Sequence, residues 1–238
     1  MSKSGLSRIF KALSAGALFA FSSLGLATSA AHAEKAGHLV AARASNNPDA
    51  LVLMWSGPMF APMAQQIQDA FNQYKDSVKK VELKIDSGGG SVKEGEKVIK
   101  ILQDIKKTHK LTTAVMAGRK CGSMCVFVYV QGQHRLAASA SLWLFHEVSV
   151  KDPKTNQITK LDRTGWERLV NAYWVPAGVD QQWIEEMKTH TLGTDYWQSG
   201  DSLLRDGAKI ILNQLPDEQR RIVRSNQKQA DASGTMAK

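Results

Sequence analysis

Residues 118–125 read GRKCGSMC, a short segment that combines two glycines, a serine and two cysteines. It lies between two apolar runs, 111–116 and 126–130. That order predicts a strand, a tight glycine turn and a helix that begins at Ser123. Such a turn exposes the serine hydroxyl, and a helix N-terminus offers free N–H groups to a developing negative charge. Ser123 is therefore a candidate nucleophile, although an ordinary helix N-cap would also be a serine.

A second glycine turn and an isolated histidine extend the pattern. Residues 86–91 read DSGGGS and follow an alternating apolar run, so they predict another turn between a strand and a helix. A phosphate loop is disfavoured there because no Gly-Lys-Ser/Thr follows. His146 ends the apolar run 141–145, where it is either a catalytic base or a strand-end histidine without chemistry. If Ser123, the glycine turn and His146 meet, the chain is a serine hydrolase.

The remaining segments alternate between strand and helix patterns. We predict strands at 51–55, 80–85, 111–116, 135–137, 141–145 and 207–212, and helices at 61–74, 91–107, 123–129, 163–174, 179–189 and 199–206. The polar segment 151–160 is predicted to be a loop or hairpin. A βαβαβα order implies right-handed crossovers and a mostly parallel sheet flanked by helices.

The first 33 residues have the layout of a secretory signal peptide. A basic start precedes an uncharged segment, 12–26, and a small-x-small site at 31–33 predicts cleavage after Ala33. The apolar segment is too short and too weakly apolar for a retained membrane anchor. We therefore expect a periplasmic or secreted protein without a stable membrane anchor. The rest divides into an N-terminal extension, one domain and a polar tail expected to be disordered, at 34–50, 51–215 and 216–238.

Charge narrows the classes of partner. The leader holds three basic residues and no acid, so the formal charge falls from +9 to +6 once it is removed. The basic residues are spread thinly, without interleaved aromatic side chains, which disfavours nucleic-acid binding. We expect the tryptophans after residue 160 to serve packing or an oligomer contact: Trp166, Trp174, Trp183 and Trp197.

Two cysteines, Cys121 and Cys125, flank Ser123. An oxidising compartment favours a disulfide, which at this spacing requires a non-helical residue at one end. Two buried thiols that pack as small apolar side chains are an equally good interpretation. A metal site is disfavoured because the chain has no further cysteine and this segment has no histidine.

Together these motifs resemble the Clp protease proteolytic-subunit family of the Clp/crotonase superfamily, in an exported, periplasmic-type form. The matching segments are 85–90, 118–125, 132–135 and 145–146, within a resemblance that covers 51–212. The resemblance implies an α/β fold, a repeated ββα/βαβ spiral with a mostly parallel sheet flanked by helices. It also implies self-association into a homo-oligomer, a peptide or unfolded protein as substrate, and no cofactor.

The resemblance implies a catalytic triad. Ser123 would be the nucleophile, His146 the general base and Asp195 the acid that orients the imidazole. The segment after His146 aligns loosely with the family, so Asp201 and Asp206 are reserve candidates for the acid.

The family also implies where substrate binds. The backbone N–H groups of Gly89 and Met124 would form the oxyanion hole. Gly90 and its neighbours would let an extended peptide pair beside them as a β-strand. In this chain Gly88 stands where the family has proline, which predicts a looser turn.

Export separates this chain from an ATP-driven partner, so the implied function is a serine peptidase-like hydrolase that cleaves peptide bonds without an ATPase. One alternative is a catalytically inactive peptide- or protein-binding module on the same fold. Acyl-CoA chemistry of the crotonase kind is disfavoured by export. A Ser–Lys dyad would need a lysine in the cleft, and we expect Lys120 to point elsewhere.

Overall fold

The computed structural model describes residues 37–152, 154–155 and 157–215. The predicted signal peptide at 1–33 and the polar tail at 216–238 lie outside the described residues. No helix in the described part of the chain has the length and apolar character needed to cross a membrane.

Strands and helices alternate through most of the described chain. The strands are β1 His38–Ala44, β2 Asn47–Ser56, β3 Lys80–Asp86, β4 Lys110–Val115, β5 Lys120–Gly122, β6 His134–Ala138, β7 Leu142–Phe145, β8 Val148–Lys151, β9 Ile158–Asp162, β10 Tyr196–Ser199 and β11 Asn213–Leu215. The helices are α1 Met63–Tyr74, α2 Val92–Lys106, α3 Met124–Tyr129, α4 Arg163–Leu169, α5 Gln181–His190 and α6 Gly200–Arg205. A 3-10 turn, Lys75–Ser77, follows α1, and a π-helical turn, Val170–Trp174, follows α4.

The main sheet has the strand order β1-β2-β3-β4-β6-β11. Within this sheet β2, β3, β4, β6 and β11 run parallel, and β1 pairs antiparallel with β2. A second sheet has the order β10-β7-β5, and β8 and β9 form a hairpin. The predicted α/β class with a mainly parallel sheet and flanking helices is confirmed, whereas the repeated spiral stays a prediction.

The core explains why these segments form these elements. Along β3, Val81, Leu83 and Ile85 are buried and alternate with polar residues, as a strand with one apolar face requires. Helix α2 buries a stripe at helical spacing, and the Ser91 hydroxyl caps it by accepting from the Glu94 N–H at 3.3 Å.

The structure departs from the predicted elements at both ends of the domain. Within the segment treated as an N-terminal extension, β1 pairs along β2. The strand predicted at 207–212 is wrong, because Lys209 has a φ of 54° and interrupts any extended run. Ala208, Ile210 and Ile211 are buried there without a strand, and pairing with β6 begins only at β11.

An aromatic cluster fills the space between α3, β7 and the later helices. Phe127 stacks on Trp174 with ring centroids 4.8 Å apart, and Phe145 meets Trp183 edge-on at 5.3 Å. Trp166 also packs against Trp174. These buried rings fix α3 and the end of β7 relative to each other, which matters because Ser123 and His146 lie at those two places.

One buried carboxylate couples the first two helices. Glu94 is 4% exposed, accepts a hydrogen bond from the Ala64 N–H at 2.9 Å and pairs with Lys97 at 3.1 Å. Glu94→Ala should lower the free energy of unfolding by about 2 kcal/mol, because the Ala64 N–H loses its acceptor. That corresponds to a melting temperature about 4–8 °C lower by calorimetry.

Lys97→Ala is the control for this prediction. The Lys97 side chain is 55% exposed, so its loss should cost less than about 1 kcal/mol. Equal losses in the two variants would contradict the assigned role of Glu94.

Candidate active site

Ser123 occupies a sharp turn between β5 and α3. Its φ of 51° and ψ of −125° lie in a region that side-chain-bearing residues rarely adopt. The Ser123 N–H donates to the Leu144 carbonyl at 2.8 Å, and its carbonyl accepts from the Val126 N–H at 3.0 Å. These backbone contacts hold the unusual conformation, and Ser123 stays partly exposed within a buried stretch.

The glycine turn packs directly against this elbow. The Ser87 N–H donates to the Lys120 carbonyl at 2.8 Å, and the Gly122 N–H donates back to the Ser87 carbonyl at 3.0 Å. At Gly89, whose φ is 102°, a Cβ atom would lie 2.7 Å from both the Ser123 Cβ and the Gly122 oxygen. Only glycine fits at that position.

Three backbone N–H groups lie on or beside the Ser123 elbow. Met124 is the first residue of α3, and its N–H has no hydrogen-bond partner within the described residues. The N–H of Gly90 is also unpaired there. The N–H of Gly89 instead donates to the Ser87 hydroxyl at 3.1 Å. As an oxyanion donor, Gly89 would have to share or exchange that bond.

His146 follows β7 and lines the same cleft as Ser123. Its Nδ1 is hydrogen-bonded to the Glu147 backbone carbonyl. A carbonyl oxygen only accepts, so Nδ1 is the donor in this contact, and in the neutral imidazole Nε2 is then left to accept a proton. That is the tautomer a general base needs, although no hydrogen bond joins the ring to the Ser123 hydroxyl in the described structure.

The acid behind the imidazole stays a prediction. The antiparallel register pairs Phe145 with Tyr196, so Asp195 lies opposite His146 just beyond the last pair. Asp195 is exposed, does not line the cleft, and makes no hydrogen bond with another described residue.

The two reserve acids have partners elsewhere. Asp201 pairs with Arg205 at 3.1 Å, and Asp206 accepts hydrogen bonds from Gln198 and Ser202. Neither side chain lines the cleft.

The cleft is open and has a volume of about 950 Å³. Its floor is the glycine turn, 88–90, and its sides include Lys93, Lys120 and Asp152. The expectation that Lys120 points elsewhere is wrong, because Lys120 lines the cleft and its Cε lies 4.0 Å from the position that a Cβ atom would take at Gly88. Behind Ser123 and His146 lies a pocket of about 50 Å³ with a mainly apolar lining: Val92, Met124, Phe127, Val148, Trp166 and Leu169.

Carboxylates at the cleft edge are held by fixed donors. Asp86 pairs with Arg119 at 3.1 Å and accepts from the Lys120 N–H at 3.2 Å, which ties the glycine turn to β5. Hydrogen bonds from the backbone N–H groups of Thr155 and then Lys154 hold the pKa of Asp152 below its usual range.

A disulfide joins Cys121 and Cys125, with their Cα atoms 5.3 Å apart. Cys121 lies in β5 and supplies the non-helical end, while Cys125 lies in α3. Both are fully buried. The bond therefore spans the elbow and encloses Ser123.

Replacing both cysteines by alanine should lower the free energy of unfolding by about 2 kcal/mol, since the bond closes a short loop. The melting temperature should fall by about 4–8 °C. Mass spectrometry after alkylation of the denatured wild-type protein provides the control. Neither thiol should react before reduction and both should react after it, whereas free thiols without reductant would contradict the assignment.

Sequence reasoning missed Glu147, a buried carboxylate next to His146. A single glutamate after a strand gives no signal in the sequence. Its importance comes from contacts with Arg163 and Gly193, which are distant along the chain.

Comparison with known proteins establishes the fold. A mutant of ClpP1 from Listeria monocytogenes has a TM-score of 0.54 at 14% identity, over 71% of this chain and 92% of that chain. A mutant of the 1510-N membrane-bound stomatin-specific protease has a TM-score of 0.57 at 12% identity, over 73% of this chain and 82% of that chain. No protein-family model and no curated protein sequence matches the chain. At these identities the likeness concerns architecture alone: the chain has a ClpP-like fold.

Proposed function

We propose that this chain is a serine peptidase-like hydrolase that cleaves peptide bonds with Ser123 and His146. The observation that carries the proposal is the shared cleft. A strained, partly exposed serine and an imidazole with a free Nε2 both line it, beside unpaired backbone N–H groups. Backbone strain of this kind is found at functional sites more often than elsewhere.

In the proposed reaction, the Ser123 oxygen attacks the substrate carbonyl while its proton passes to His146 Nε2. The Met124 N–H, with the Gly89 or Gly90 N–H, stabilises the negative charge on the tetrahedral oxygen. Collapse breaks the C–N bond, and the departing amine takes the proton from His146. Water, deprotonated by His146, then attacks the acyl carbon, and the bond to the Ser123 oxygen breaks as that oxygen takes the proton back from His146, which releases the carboxylic acid and restores the serine.

The cleft supports an extended peptide as substrate. The open glycine turn, 88–90, offers backbone groups along its length, as in β-strand addition. The apolar pocket behind Ser123 would accept one small apolar side chain. Export to the periplasm, a homo-oligomeric state and action without an ATPase partner are part of the same proposal.

A fluorophosphonate probe tests the proposal on the chain without residues 1–33. Folded wild-type protein should be labelled at Ser123, because the probe reacts with an activated serine. Ser123→Ala should abolish labelling, and His146→Ala should lower its rate at least 10³-fold. Labelling that survives Ser123→Ala, or its absence from folded wild-type protein, would contradict the proposal.

The close contact at Gly89 gives a second prediction. Gly89→Ala should lower the labelling rate at least 10²-fold, because the added Cβ would lie 2.7 Å from the Ser123 Cβ and displace the elbow. Gly118→Ala is the matched control, since Gly118 also has a positive φ, 71°, but open space at its Cβ position. Equal losses of labelling rate in the two variants would mean that backbone strain alone explains the effect. That result would contradict the importance of the close approach of Gly89 to Ser123.

A second candidate is a peptide-binding module that does not cleave. It is favoured by the absence of any described carboxylate hydrogen-bonded to the His146 ring. Binding of a fluorescent peptide to wild-type protein, without hydrolysis and unchanged in Ser123→Ala, would identify this function.

A further inference from the structure

We infer that Glu147 and Arg163 are positioning residues for His146, and that their ion pair sets the loop carrying Asp195 opposite the imidazole. The inference rests on the proposed function of His146 as a general base.

The Glu147 carboxylate joins two separate segments at once. It is only 4% exposed. One oxygen accepts from Arg163 Nη1 at 3.1 Å, and the other accepts from the Gly193 N–H at 3.2 Å. Arg163 begins α4, whereas Gly193 lies in the turn after α5. The residue after His146 is therefore tied to two elements that are far apart in sequence.

Arg163 extends this connection to the end of α5. Its guanidinium donates to the Lys188 carbonyl from Nη1 at 3.1 Å and from Nη2 at 3.2 Å. Its Nε also pairs with Glu167 at 3.3 Å. The Lys188 carbonyl belongs to the last turn of α5, where backbone carbonyls lack helical partners, so a cation there is well placed.

The segment between α5 and β10 is thereby fixed at both ends and in its middle. His190, the last residue of α5, stacks on Tyr196, the first residue of β10, with ring centroids 4.5 Å apart. Between them, Gly193 is held by Glu147. Asp195 lies two residues after Gly193 and opposite His146 in the β7–β10 register. The Glu147 carboxylate thus acts together with the β7–β10 register to fix where Asp195 lies relative to the imidazole.

Glu147 also contacts the imidazole itself, through its backbone. The carbonyl of Glu147 accepts the His146 Nδ1 proton. The carbonyl and the anchored carboxylate belong to the same residue. Contacts that fix the Glu147 carboxylate therefore also restrict the position of the Glu147 carbonyl, which selects the tautomer of His146. Loss of the carboxylate would free both the ring orientation and the Asp195 loop.

Glu147→Gln is the sharpest variant. Glutamine keeps the shape but replaces one acceptor oxygen by an NH₂ group, which cannot accept from either Arg163 or Gly193. One of the two contacts is lost, and the charge that pairs with Arg163 is lost as well. The fluorophosphonate labelling rate of Ser123 should fall at least 10-fold.

Glu94→Gln is the matched control. Glu94 is also 4% exposed, pairs with a basic side chain and accepts from a backbone N–H, but its partners, Ala64 and Lys97, are not neighbours of His146. With melting temperatures recorded for both, Glu94→Gln should keep its labelling rate within twofold of wild type. A rate loss that tracks the melting temperature equally in both variants would overturn the inference.

Nitrogen-15 NMR of the His146 ring provides a readout independent of labelling. Wild-type protein should show protonated Nδ1 and unprotonated Nε2, and Glu147→Gln should show a mixture of tautomers. If wild-type protein labels at Ser123 while Glu147→Gln keeps both its rate and its tautomer, the inference fails and the proposed function stands. If wild-type protein does not label, the proposed function fails, and an unchanged tautomer in Glu147→Gln would overturn the positioning role separately.

Discussion

The backbone bridge between Ser87 and β5 is the contact on which the candidate site depends. It consists of two hydrogen bonds, from Ser87 to Lys120 and from Gly122 to Ser87. Ser87 follows directly after β3 of the main sheet, and β5 is an edge strand of the second sheet, so these bonds attach the glycine turn to the serine elbow. Gly89 then lies against Ser123 because no side chain intervenes. Without this bridge, the cleft would have no fixed floor.

Buried side chains next to the serine elbow support that bridge. Rings from α3, β7 and the helices after the β8–β9 hairpin pack together, and the disulfide closes the elbow from the side. The apolar core therefore sets the positions of Ser123 and His146, while hydrogen bonds set their conformations. Dense packing of this kind leaves little room for either residue to shift.

The elements that sequence could predict are those with a strong local pattern. Helices α1 and α2 have apolar stripes at helical spacing, β3 alternates apolar and polar residues, and β4 lies in an apolar run. The serine elbow could be predicted because Gly122 and Ser123 lie between two apolar runs. The fold follows largely from such signals, since a strand–helix alternation leaves few topologies.

Features that depend on distant partners could not be predicted. Strand β5 has only three residues and exists because β7 pairs with it, and this pairing turns Lys120 toward the cleft. Strand β10 likewise needs β7. Glu147 contacts groups 16 and 46 positions away, so no local pattern marks it. Asp195, the acid expected to orient His146, also lies after His146, in the segment whose resemblance to the Clp family is loose.

The role of Ser123 as the nucleophile can be tested with a crystal structure of the chain without residues 1–33, bound to a peptide boronate. We expect a bond between boron and the Ser123 Oγ, with one boronate oxygen within hydrogen-bond distance of the Met124 N–H and a glycine N–H of the turn. The His146 Nε2 should lie within hydrogen-bond distance of the adduct. A boronate bound to another residue, or a peptide held in the cleft with Ser123 unmodified, would contradict it.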